Sequence, residues 1–171
     1  MTIRELKTNK TAPFEFEDEK LFKLFSFFLH SAPTIKSAHA ANIPIDKLGR
    51  NWGIYIAVWI EKNYKYRIYS SNSKFPSQDV LSDYGLNDNS ILNRKANAFI
   101  CFREDEAPPE TDCKCILRHI RNAIAHGYVF INNAGNRKYI LMEDYNKAGN
   151  KRAVLLFSQA ELSRLRKTIM M

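Results

Sequence analysis

Cys113-Lys114-Cys115-Ile116-Leu117-Arg118-His119-Ile120-Arg121-Asn122-Ala123-Ile124-Ala125-His126-Gly127-Tyr128 is the stretch on which the reading of this chain turns. At about 100° per residue, Cys113, Ile116, Leu117, Ile120 and Ile124 share one face of a helix, which is the expected core side. Arg118, Asn122, His126, His119 and Cys115 are expected opposite, with the small Ala123 and Ala125 at the edges. Arg121 lies between the two sides, with a stem long enough to swing to the polar one. An ordinary solvent face uses Glu and Lys. This one offers imidazoles, an amide, guanidinium groups and alanines, which fits a surface where a second helix packs closely around chemistry.

Working outward, Thr111 and Asp112 suit the start of this helix and Gly127 its end. Upstream, Leu21, Phe22, Leu24, Phe25, Phe28 and Leu29 recur at helical spacing between Asp18 and Ser31, where Pro33 stops the run. A second helix is expected from an Asp46 cap through Trp52, Tyr55, Ile56, Trp59 and Ile60, apolar over most of its circumference and therefore central. Gly49 and Gly53 would let a neighbour approach it. Residues 70–90 read as turns around a short helix, Ser90 to Phe102 as helix, and Glu104 to Pro109 as a break. Tyr64 to Tyr69 interleaves basic and aromatic residues, a pattern able to stack on single-stranded RNA that fits a helix end or a strand as easily.

Beyond Gly127 the period changes. Residues 128–131, 138–142 and 153–157 are three strand candidates, joined by two Ala-Gly-Asn turns that are each followed by two basic residues. Ser158 and Glu161 form a capping-box pattern for a last helix, Gln159 to Met170. The expected fold is a single mainly α (α+β) domain over 1–171. Residues 1–127 form a helical bundle, and residues 128–171 form a three-stranded antiparallel meander and a final helix.

The chain has 171 residues with 26 Lys and Arg against 18 Asp and Glu. Residues 1–113 carry 15 of each sign, so the whole +8 excess belongs to residues 114–171, with 11 cations and 3 anions. That asymmetry suits a polyanion, whose phosphates release counterions when neutralised, although a solvated face would look the same. The longest apolar run, Ile54 to Ile60, is too short to span a bilayer, and no signal peptide is visible. Three cysteines give no disulfide framework. A cytoplasmic chain with no membrane association is expected.

Arg121-Asn122-Ala123-Ile124-Ala125-His126 resembles the Arg-x4–6-His signature of the HEPN superfamily, in which Asn commonly follows the Arg near the end of a long bundle helix. The resemblance is specific over about 15 residues. It implies a metal-independent ribonuclease, often a toxin or antiviral effector, with an active site across a homodimer and no cofactor.

Residue chemistry leads the same way. Cleaving RNA through its own 2′-hydroxyl needs a base, an acid and positive charge for the phosphorane. Arg121 can grip two phosphate oxygens, and an imidazole such as His126 exchanges protons near neutrality. Asn122, one turn from His126, can orient it or bind phosphate. His119 is seven residues from His126, about 10 Å along the axis, which favours a second His126 brought by a partner protomer. Arg118, His119, Arg137 and Lys138 are the residues expected to attract RNA.

Tyr128 extends the pattern to Arg-x4-His-x-Tyr, which is similar to HepT-type toxins. There an antitoxin nucleotidyltransferase adenylylates the corresponding tyrosine. Tyr128 equally fits the first residue of a strand with its ring in the core. A zinc site drawn from Cys115 and His119 with Cys101, Cys113 or His126 lacks paired-cysteine spacing, so no metal is expected. The alternative function is a non-catalytic RNA- or nucleotide-binding HEPN module that works with a partner.

Overall fold

A computed structural model describes residues 1–8, 18–30, 52–104 and 110–170. Asp46, Gly49 and most of the break before Glu110 lie outside the described residues. In chain order the elements are α1 (Ile3–Lys7), α2 (Glu19–His30), α3 (Trp52–Asn63), β1 (Lys65–Tyr69), α4 (Gln78–Asp83), β2 (Ala98–Phe102), α5 (Asp112–His126), β3 (Val129–Ala134), β4 (Arg137–Tyr145), β5 (Lys151–Ser158) and α6 (Gln159–Met170).

The sheet corrects the expected fold class. It is not a three-stranded meander beside a helical bundle but one five-stranded mixed sheet of order β1-β2-β5-β4-β3. β1 pairs parallel with β2, and the other pairs are antiparallel. β2 falls within the Ser90–Phe102 segment expected to be helical. All five of its residues are buried, so no polar alternation marks it as a strand, and a short apolar run reads the same way as a buried helix. Its residues divide between two cores. Phe99 and Cys101 join Ile140, Met142, Ala153, Leu155 and Phe157 under α2, α3, α5 and α6. Ala98, Ile100 and Phe102 join Leu141, Val154 and Leu156 under α1 and α4. Burial on both faces is what makes the central strands apolar throughout.

α3 departs from the expected central helix. Only Ile56 and Ile60 are buried, while Ile54, Tyr55 and Val58 are exposed. α6 starts at the expected place, with the Glu161 N–H donating to Ser158 Oγ at 3.2 Å. The Glu161 carboxylate turns to Arg164 instead of back to the cap, and the Ser158 N–H donates to Asn97 Oδ1.

α5 positions the site. Thr111 Oγ1 accepts from the Lys114 N–H at its start. At its end Gly127 adopts φ 75°, and its N–H reaches the Ala123 and Ile124 carbonyls. The expected apolar face is buried, each large side chain contributing about 1.5–3 kcal/mol. The polar face is corrected: Cys115, Arg118 and His119 are buried as well, because α5 lies between α2 and the sheet instead of facing solvent. It crosses the end of the sheet where β2 and β4 finish and β3 and β5 begin.

Candidate functional site at the end of helix α5

Arg118 and His119 bind the helix to the sheet. Arg118 Nε donates to both Glu110 carboxylate oxygens at 3.2 and 3.0 Å, and its Nη2 donates to Glu110 at 2.7 Å and to the Phe102 carbonyl at 2.9 Å. His119 Nδ1 lies 2.7 Å from Asp144 Oδ2, and its Nε2 lies 2.7 Å from the same Phe102 carbonyl. Arg118 Nη2 also stands 3.2 Å from His119 Nε2, but with an acceptor within 2.7 Å of each ring nitrogen the doubly protonated imidazole satisfies both. Burial and the Arg118 charge oppose that proton, while Asp144 and Cys115 outweigh them and hold the His119 pKa above its ordinary value. Both side chains are buried and held by partners within the chain, and both border the cleft that contains Asn122 and Asp144.

Asp144 carries the arrangement on to the signature. Its Oδ2 also accepts from Asn122 Nδ2 at 3.1 Å, and its buried Oδ1 has no hydrogen-bond partner among the described residues. These groups line a cleft of about 390 Å³ with Arg103, Asn146 and Arg152. Arg121 is half-buried, and its Nε is buried without a hydrogen-bond partner among the described residues. His126 is exposed, on the same side of the helix as Asn122 and one turn further on. Arg121, Asn122 and His126 therefore share the last two turns of α5.

Tyr128 precedes β3 and is half-buried, its ring 4.7 Å from that of Tyr145. Arg137 and Lys138 lie elsewhere. Ala134 faces Arg137 where Val129 faces Met142, so the two basic residues are about 16 Å along the sheet from the end of α5. Lys138 pairs with Asp18 at 2.9 Å, and Arg137 Nη1 donates to the Arg94 carbonyl.

The cysteines and His119 are committed to the interior. Cys113 Sγ donates to the Gly53 carbonyl, and both His119 nitrogens are engaged. The Cys101 thiol draws the Cys115 pKa down to about 6 against burial, with His119 adding to the effect. Among the described residues no group of three or more His, Cys, Asp or Glu side chains could hold a metal ion.

Glu110 and Asp144 were missed by sequence reasoning. Asp144 had a faint signal: Glu143-Asp144 ends an apolar strand, and alternation puts one carboxylate on each face.

The family model described as HEPN pEK499 p136 matches residues 38–170, most of the chain and all of α5. The chain belongs to the HEPN family. HEPN domains are in general nuclease-like. No curated protein and no solved structure matches this HEPN chain. Among its described residues no helix is long and apolar enough to cross a membrane.

Proposed function

We propose that this HEPN chain is a metal-independent endoribonuclease acting as a homodimer, with Arg121, Asn122 and His126 as its catalytic residues. The observation that carries the reading is the contrast between the two imidazoles of α5. His119 is locked between Asp144 and the Phe102 carbonyl, whereas His126 is exposed on the turn after Arg121 and Asn122.

The reaction needs a proton removed from the RNA 2′-hydroxyl as its oxygen attacks phosphorus, and a proton delivered to the departing 5′-oxygen. One imidazole does one of these at a time. Since His119 has no nitrogen to offer, the second proton carrier is the His126 of a partner protomer. Arg121 stabilises the charge that builds on the phosphorane through paired N–H donors. Asn122, held by Asp144, supports the phosphate or the imidazole. The products are a 2′,3′-cyclic phosphate and a 5′-hydroxyl.

Such an activity on cytoplasmic RNA suits a toxin or antiviral effector. An antitoxin or a nucleotidyltransferase then fits as its restraining partner, with Tyr128 beside the site as the residue open to modification. The test is incubation of end-labelled RNA with wild type and His126→Ala in EDTA. EDTA-resistant cleavage leaving cyclic phosphates, lost in the variant, is expected. Binding without cleavage by folded wild type would replace this reading with that of a non-catalytic HEPN module.

A further inference from the structure

A second cleft, of about 620 Å³, lies on the sheet face opposite α5, between α1, α4 and the start of β5. Its size falls within the ~300–1,000 Å³ typical of ligand pockets. Leu81, Leu86 and Val154 contribute an apolar floor. Lys7, Lys74, Lys151 and Arg152 stand around it. Two of these cations share the buried Glu143 carboxylate, Lys7 at 3.1 Å and Lys151 at 2.9 Å, and Lys7 also meets Asp88 at 3.2 Å. Four cations against two carboxylates leave a surplus that internal pairing does not neutralise.

The aromatic groups define the ligand class. Phe75 and Tyr145 are half-buried on the wall, and Lys151 Nζ lies 5.7 Å from one ring centroid and 5.8 Å from the other. Phe75 is also stacked on Phe102, their centroids 5.9 Å apart, so a base would take the place beside these rings that the flexible Lys151 side chain now holds. Aromatic rings beside ammonium groups, over an apolar floor, match a base attached to a phosphate. Tyr145 and Arg152 also line the cleft that contains Asn122 and Asp144. The two clefts therefore share a wall at the sheet end. A mononucleotide would need only one of them, whereas a chain of nucleotides can follow both.

We propose that the cleft between α1, α4 and β5 binds the single-stranded RNA nucleotides that flank the bond to be cut, with a base against Phe75 or Tyr145 and phosphates at Lys74 and Arg152. The direction of the strand, from Asn122 over Arg152 into this cleft, rests on the ribonuclease reading. Occupancy of the cleft by RNA does not.

The experiment uses full-length His126→Ala, which keeps RNA intact, with fluorescein-labelled oligoribonucleotides of four and twelve nucleotides and a twelve-mer carrying 5-iodouridine. The twelve-mer should bind more tightly than the four-mer and photocross-link to Phe75 or Tyr145. Lys74→Glu, on an exposed residue, and Phe75→Leu should each raise the twelve-mer Kd about tenfold with an unchanged circular-dichroism spectrum. Cross-links confined to other peptides, or a Lys74→Glu Kd within twofold of the parent, overturn the proposal. Full displacement of the twelve-mer by uridine or adenosine monophosphate, with no gain from length, also overturns it and makes the cleft a free-nucleotide site. Cross-links at Phe75 or Tyr145 alongside an inactive wild type would keep this site while removing the nuclease reading. Cleavage by wild type with no effect of Lys74→Glu on binding would do the reverse.

Discussion

His119 and Asp144 meet at 2.7 Å, 25 residues apart in sequence, with both side chains almost completely buried. The contact ties α5 to β4 and leaves Asp144 Oδ2 in place to hold Asn122 as well. A link needed for the fold thus runs directly into the signature of the site.

Breaking that link should be expensive. Asp144→Ala leaves a buried imidazolium without its carboxylate, and losing one partner of a buried pair costs about 3–5 kcal/mol. Urea denaturation should show a lowered midpoint with an unchanged slope. A loss below 1 kcal/mol would mean that His119 is neutral in the folded protein.

The same pair sets a pH dependence. The His119 pKa is raised in the folded chain, so the folded state holds this proton more tightly than the unfolded state, whose value is about 6.5. The stabilisation is therefore complete below about pH 6.5 and declines as pH rises through the folded value. Urea midpoints measured across the neutral to alkaline range should fall more steeply in wild type than in His119→Gln. Parallel profiles would remove the imidazolium from the account.

At the acidic end Glu143 acts in the opposite sense. Burial raises its pKa, but Tyr145, Lys151 and Lys7 together bring it below the ordinary carboxylate value. Its contribution is present above about pH 4.5 and is lost as pH falls through the lowered value. Glu143→Gln should flatten the acid limb of the stability curve.

His126→Ala should separate activity from stability. The side chain is exposed, so unfolding free energy should move by no more than about 0.5 kcal/mol. RNA cleavage should fall by about 10²–10⁴-fold, the usual contribution of a proton-transferring group. A large fall in stability would instead make the residue part of the fold.

Gly127→Ala tests the helix stop. No atom crowds a Cβ built there, but φ is 75°, and an L-residue in that conformation costs roughly 1–2 kcal/mol. Thermal and urea midpoints should both drop, and activity should drop with them if His126 depends on the turn that follows it.

Local signals in the sequence locate helix α5. Thr111, Gly127 and the spacing of Ile116, Leu117, Ile120 and Ile124 define α5 because caps and helical periodicity act over a few residues. The Arg121–His126 spacing likewise lies within one helix. The sequence puts Arg118 and His119 on the outside because their partners lie beyond the helix: Glu110 is eight residues back, before the cap, and Asp144 is 25 residues on. A polar side chain looks solvent-facing until the carboxylate that accompanies it inside is known. β2 was hidden for a related reason, since a strand buried on both faces has no polar alternation to report, and its parallel pairing with β1 is long-range.

The strand at the centre of the sheet, β5, is the last strand to be made. β2 waits for it across more than fifty residues, Ala98 pairing with Leu156, and such distant pairings form slowly. During translation α5 leaves the ribosome with Arg121 and His126 already in sequence, while β2 still lacks the neighbour that joins it to β4. The Phe102 carbonyl and Asp144, one on each side of His119, come together around it only after β5 has emerged. The surroundings of α5 thus depend on a strand that follows it in the chain.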